Sequence, residues 1–119
     1  MSFDYVVVAE ARTDIRDILI WSHARFGAKV REGYEELIFT AFEDIASDPG
    51  GAGVHVRSDL GDGVATWHLA LSRDHVDSGV RTIVSPRHLV IFTVKGERVL
   101  ILRLLHEAMN LPEQHLPKS

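Results

Sequence analysis

The sequence predicts an α+β domain: an N-terminal strand and an antiparallel helical hairpin packed on a mostly antiparallel sheet. Three observations carry this expectation. A short β-branched run, Tyr5–Ala9, lies near the start of the chain, and such runs read as buried strands. Two stretches of helical apolar spacing follow it almost without interruption. From Val64 onward the chain breaks into short strand-like segments separated by turn residues. A strand, two helices and then a run of strands place the helices on one face of a sheet. With 119 residues, the chain is expected to form one domain over 1–119 around a single core.

Each element has its own signal. Thr13 can cap the first helix, with Asp14 in the first turn complementing the helix dipole. Ile15, Ile18, Leu19, Ser22 and Phe26 recur at helical spacing, and Gly27 stops the helix as a left-handed C-cap. That predicts a helix over 13–26. Val30, Tyr34, Leu37, Ile38, Ala41 and Ile45 form the stripe of a second helix over 28–47. So short a connection forces an antiparallel hairpin. Phe39 and Phe42 widen the apolar face beyond what the hairpin needs, either as extra core or as a partner surface.

"SDPGGAG" (47–53) and "LGDG" (60–63) are loop punctuation. "VATWHLAL" (64–71) alternates as a strand, "SRDHVDSG" (72–79) reads as a polar loop, and "VRTIV" (80–84) can continue the sheet until Pro86, which cannot donate to a ladder. "HLVIFTV" (88–94) and "RVLILRLLH" (98–106) flank the turn Lys95-Gly96-Glu97. The tail 107–119 has two prolines and at most one or two helical turns.

The net charge is −4, which argues against a protein that coats nucleic acid, but it is unevenly placed. Residues 1–60 carry 6 Lys/Arg against 11 Asp/Glu, whereas residues 61–119 carry 7 against 6 together with five of the seven histidines. Between 73 and 103 six basic residues (Arg73, Arg81, Arg87, Lys95, Arg98, Arg103) face three acidic ones. An acidic partner would be steered to that half. The chain has no cysteine, which excludes disulfides, thiolate zinc sites and cysteine nucleophiles. Tyr5–Ala9 is too short for a signal-peptide core or a membrane span, so a cytoplasmic protein without a membrane partner is expected.

Arg103 stands out in the apolar run Val99–Leu105. Alternation puts it on one face with Val99, Ile101 and Leu105, opposite Leu100, Leu102 and Leu104. The leucine row is the expected floor for the helices, leaving Arg103 in a groove on the other face. There its planar fork can grip a carboxylate or phosphate, or an internal aspartate can pair it.

The ending "RLLHEAMNLPEQHLP" (103–117), preceded by "WHLALSR" (67–73) and "SPRHLVIF" (85–92), resembles the ParE branch of the RelE/ParE toxin superfamily. "RTDIRDILIWSHARFG" (12–27) resembles the start of that family's helical hairpin. The likeness runs from about Val6 to Pro117, with departures at Asn110, Phe92 and Ala70, where relatives commonly place Asp, Tyr and a basic residue. It implies a type II toxin neutralised by a ParD-like antitoxin and directed against DNA gyrase. RelE relatives on the same fold instead cut messenger RNA in the ribosome.

The residues themselves give that second activity little support. Metal-free RNA cleavage needs an acid, a base and cations on the phosphate. Tyr5 and Tyr34 lie far along the chain from Arg103, Met109 and Asn110 transfer no protons, and a histidine at a strand end such as His106 is usually structural. No catalytic residue is therefore assigned and no enzymatic activity is expected. His88 and His106 should fall at the same end of their hairpin, but no clear further ligand accompanies them, so no metal or cofactor is expected. The candidates for target contact are Arg103, His106, Met109 and Asn110. Those for antitoxin contact are Phe39, Phe42, Arg73, Arg81, Arg87 and Arg98. The expected function is a gyrase-poisoning toxin that does not itself read nucleic-acid sequence. The alternatives are a ribosome-dependent mRNA endoribonuclease and an inactive toxin-fold binding module.

Overall fold

In the computed structural model, which describes residues 3–77 and 79–117, a strand β1 (Asp4–Val7) leads into helix α1 (Ala9–Phe26) and helix α2 (Ala28–Ser47). Strands β2 (His55–Val56), β3 (Ala65–His68), β4 (His88–Lys95) and β5 (Arg98–His106) follow, with 3₁₀ turns at Leu69–His75 and Leu111–Glu113. The described strands form one sheet in the order β1-β5-β4-β3-β2. β1 runs parallel to β5 and the other neighbours are antiparallel. The expected α+β architecture is borne out.

The helical hairpin turns on one residue. Gly27 has φ +93°, a region that side chains with a Cβ rarely adopt, and its N–H closes α1 onto the His23 carbonyl at 2.9 Å. α1 begins four residues before the expected Thr13. Val8 occupies the cap position without a side-chain bond, and Thr13 instead bonds the Ala9 carbonyl from within the helix. The early start is anchored to the sheet, where Val8 N–H donates to the Ile101 carbonyl at 3.1 Å.

The core lies between the hairpin and the sheet. Ala11, Ile15 and Ile18 of α1 and Leu37, Ile38, Ala41, Phe42 and Ile45 of α2 pack on Trp67, Val90, Phe92, Val99, Ile101 and Leu104. Phe42 is fully buried, with its ring 5.4 Å from Tyr5; burying such a side chain contributes about 2–3 kcal/mol. The expectation that Phe42 offers itself to a partner is thereby corrected. Phe39 remains 37% exposed beside it. Phe26 also departs from its predicted stripe and stands out in solvent.

The expected faces of β5 are corrected by a bulge. The β4–β5 register shifts between Ile91 and Phe92, which pair with Arg103 and Ile101, so Leu102 is an extra residue and alternation resets across it. Val99, Ile101 and Leu104 therefore face the helices. Leu105 instead joins Val64, Ile91 and Leu111 in a second cluster, against which Leu60, Leu89 and Leu116 pack. The floor under the hairpin is mixed, not the leucine row.

Two segments expected in the sheet leave it. After His68 the chain turns into the Leu69–His75 coil, because the His68 ring accepts the Ala70 N–H at 3.0 Å, a local bond that competes with the ladder. Trp67 Nε1–H donates to Ser72 Oγ at 3.0 Å, and Ser72 donates to Asp44 Oδ2 at 2.6 Å, tying that coil to α2. Residues 80–84 form no strand; they cross α2 at Gly33, where any Cβ would strike the Arg81 carbonyl. The two-residue strand β2 lies just past the stretch read as loop punctuation. The β4–β5 hairpin turns at Gly96, φ +63°, as expected of a two-residue connection.

Arg103 is paired. Its Nε and Nη2 donate to Asp14 Oδ2 at 2.7 Å and Oδ1 at 3.1 Å, and Nη1 donates to the His115 carbonyl at 2.7 Å. Asp14 Oδ2 also accepts the Leu104 N–H at 3.0 Å. The Arg103 and Asp14 side chains are only 18% and 15% exposed. Removing the guanidinium leaves a mostly desolvated carboxylate alone. Arg103→Ala is accordingly expected to lose about 3 kcal/mol in urea unfolding, at the low end for a broken buried pair. Arg103→Lys should recover only part, because an ammonium cannot fork. A loss of under about 0.5 kcal/mol, the size of an exposed pair, would show that the pair is not structural.

Candidate functional site

Polar side chains converge at the end of the sheet where β4 begins and β5 ends. His88 and His106 sit opposite each other in the ladder, with rings edge to face at 5.3 Å. α2 supplies Tyr34, whose hydroxyl lies 2.6 Å from His88 Nδ1 and accepts the Arg87 N–H at 3.2 Å. One proton is shared along this contact, supplied by the hydroxyl or by Nδ1 according to the imidazole tautomer. Burial pushes Tyr34 up to about 12, with the Arg87 amide opposing and the Glu107 charge adding. Burial, helped by neighbouring His106, pushes His88 down to about 4. Both are neutral at pH 7.

The surrounding groups are similarly engaged. His68 Nδ1 accepts the Ala70 N–H, so its proton sits on Nε2 and points at Glu107 Oε1, 2.9 Å away. That bond leads the influences holding the Glu107 carboxyl below its ordinary range. Arg87 approaches the other Glu107 oxygen at 3.8 Å, and the Glu107 N–H donates to the Arg87 carbonyl at 2.8 Å. His106 Nδ1 accepts the Ala108 N–H at 3.0 Å. His88 and His106 do meet as expected, and among the described residues no group of three or more His, Cys, Asp or Glu could hold a metal ion.

Tyr34 and Glu107 are the residues that sequence reasoning missed. Tyr34 fits the apolar stripe of α2 and reads as core, and nothing local announces a partner 54 residues away. Tyr34 is not far from the C-terminal groups as expected, because the hairpin carries it onto His88. Tyr5 packs on Phe42 in the core.

The candidate contact residues divide into separate groups. His106, Met109 and Asn110 cluster at the end of β5 and the turn after it, with Met109 45% exposed. Arg103 is turned inward, which corrects its placement in an open groove. Arg81 and Arg87 are exposed near the histidines, and Arg73 donates to the Val84 carbonyl at 2.7 Å. Arg98 begins β5 and so lies at the other end of the strand, roughly 25 Å from His106 at about 3.3 Å per residue. Phe39 stands on α2, its ring edge to face with Phe42 at 5.7 Å.

A helical hairpin laid on a sheet whose first and last strands run parallel, with a polar cluster where the last strand ends, has the fold of a known toxin–antitoxin protein. The solved structure described as "Chromosomal ParDE TA system from P. aeruginosa" matches 88% of this chain and 96% of its own, with a TM-score of 0.60 at 18% identity. The family described as "ParE toxin of type II toxin-antitoxin system, parDE" matches residues 5–111, and the chain belongs to it. The chain is also 27% identical to Toxin ParE1 of Caulobacter vibrioides (strain ATCC 19089 / CIP 103742 / CB 15) over 106 residues, covering 89% of this chain and 91% of that one.

The buried Tyr34–His88 pair sets a pH dependence. The unfolded chain protonates His88 near the ordinary 6.5, whereas the folded protein does so only near 4. Between these values the unfolded state binds more protons, so stability is complete above about 6.5 and declines as pH falls toward 4. Proton–carbon NMR titration should place the His88 midpoint near 4 in the folded protein; a midpoint near 6.5 would show an open ring. Tyr34→Phe strands the Arg87 N–H and should cost about 1–2 kcal/mol in denaturant unfolding.

Proposed function

We propose that this chain is a growth-inhibiting toxin that works as one domain in the bacterial cytoplasm, poisons DNA gyrase by binding it, and is held inactive by a ParD-like antitoxin. The observation that carries this reading is the family match over residues 5–111. The geometry supports a binding role. The Tyr34 hydroxyl is engaged by His88, the His68 proton by Glu107, and the fork of Arg103 by Asp14. The exposed end of β5, with His106, Met109 and Asn110, supplies the surface for the target.

For the antitoxin, Phe39, Arg81 and Arg87 remain available at the surface, and Arg73 and Arg98 extend the basic area. The outer face of the hairpin adds a shallow apolar groove over Ile15, Leu19 and Ile20, rimmed by Arg12, Arg16 and Arg31. An amphipathic helix with acidic flanks suits such a groove.

One observation favours the ribonuclease as a second reading. Tyr34, His88 and His106 form a compact group of proton-carrying side chains beside Arg87, of the kind metal-free RNA cleavage uses. Purified toxin should trap gyrase–DNA cleavage complexes and block supercoiling while leaving mRNA intact in a ribosome assay. Cleavage of ribosome-bound mRNA that Tyr34→Phe slows at least tenfold, with gyrase untouched, would transfer the assignment to the ribonuclease. Co-expression of a ParD-like partner should restore growth and give one co-purifying complex; growth unaffected by full toxin expression without it would count against the toxin reading.

A further inference from the structure

A cleft of about 540 Å³ opens where the end of α1, the start of α2 and residues 81–85 meet, within the size range of small-molecule sites. Trp21, Phe26, Val30, Ile83 and Val84 make its walls, and Ser22, Tyr34, His88 and His106 its polar parts. Trp21 and Phe26 are 50% and 57% exposed and stand edge to face at 5.6 Å, although burying both would serve folding better. Arg25 lies over the Trp21 ring at 5.9 Å. Arg25, Arg81 and Arg87 line the cleft, and among the described residues no Asp or Glu does.

A second observation points inward. Ser22 Oγ is buried and has no hydrogen-bond partner among the described residues, on a side chain that lines this cleft. Buried hydroxyls are ordinarily paired, so Ser22 Oγ leaves one hydrogen bond unmet behind the wall of the cleft. Three guanidinium groups give the lining of the cleft its positive charge, with Arg87 also approaching Glu107 at 3.8 Å. Aromatic walls, a cationic rim without acids and an unpaired hydroxyl define one ligand chemistry. The fit is a flat apolar body bearing one anionic group.

We propose that this cleft is a binding site for a small aromatic acid, its ring held between Trp21, Phe26 and Val30, its carboxylate on the Arg81 and Arg87 side, and Ser22 as a further polar contact. Walls contributed by three separate segments suit a compact ligand better than a polypeptide lying across them. Residues 81–85 form one wall of the cleft. Their seat on α2 depends on Gly33, where an added Cβ would push the Arg81 carbonyl away. The cleft shares His106 with the surface proposed for the target and Arg81 and Arg87 with that proposed for the antitoxin.

The test compares 2-naphthoate with its neutral amide, titrated into the purified full chain and followed by calorimetry and by the two tryptophan indole N–H signals. One equivalent of naphthoate should bind at least tenfold more tightly than naphthamide. The Trp21 signal should move, while that of Trp67, 9% exposed and bonded to Ser72, stays in place. Arg81→Ala with Arg87→Ala should reduce the anion's advantage below threefold without weakening naphthamide, and these exposed positions leave the core intact. Gly33→Ala should weaken both ligands. Equal affinity for acid and amide, shifts confined to residues away from Trp21, or binding of an acidic tryptophan-containing peptide but not of naphthoate would each overturn the proposal.

Discussion

The carboxylate of Asp14 is the point on which the layers of this protein are joined. β1 pairs with β5 only from Arg98 to Ile101, so the rest of that edge would present unpaired backbone groups. Such an edge invites association with another strand. Asp14, projecting from α1, takes the Leu104 N–H in place of a neighbouring strand and forks onto Arg103 with its two oxygens. The third guanidinium nitrogen fastens the tail through the His115 carbonyl. The tail then covers the second face of the sheet with Leu111 and Leu116. Helix, sheet edge and tail are thus tied by one ion pair, and Arg103 belongs first to the fold.

This changes what the C-terminal signature means. The segment from Arg103 to Leu116 carries the family resemblance, yet much of it has a structural task. Arg103 is a clamp, Leu105, Leu111 and Leu116 close the second cluster, and His106 turns the chain by accepting the Ala108 N–H. A signature of this kind identifies a family by the constraints of its architecture. Met109 is left over from those constraints, with its side chain 45% exposed, while the Asn110 carbonyl accepts the Glu113 N–H at 3.1 Å.

The regular elements were legible because their periodicity coincides with burial. α2 and β5 were predicted to the residue, since Leu37, Ile38, Ala41 and Ile45 keep helical spacing and Gly96 marks the hairpin. What escaped were features set by single long-range or local bonds. The start of α1 depends on the Val8 amide meeting Ile101. The bulge at Leu102 inverts the faces without disturbing composition. The coil after His68 follows from a ring nitrogen accepting a nearby amide. The site was less legible than the fold for the same reason: Tyr34 and His88 meet only because a one-residue link folds the hairpin back over the sheet. Sequence pairing of His88 with His106 was visible because both lie on adjacent strands of one hairpin.

The charge asymmetry gains a spatial meaning once these contacts are drawn. Many acidic residues of the first half lie on α2, where Glu35 pairs with Arg31 one turn away and Asp44 holds Ser72 and His75. The basic residues of the second half stand elsewhere: Arg81 and Arg87 border the histidine end, while Arg98 lies at the far end of β5. Internal demands have consumed Arg103, Asp14, Asp44 and the Tyr34 hydroxyl, whereas Trp21 and Phe26, although edge to face with each other, stay half exposed together with Ile20. Side chains of the second kind would lower the free energy of the folded state by burial, and the fold forgoes that gain. Large apolar side chains gathered beside guanidinium groups have the composition of a recognition surface. They concentrate around the hairpin and residues 81–85, apart from the buried contacts that hold the layers together.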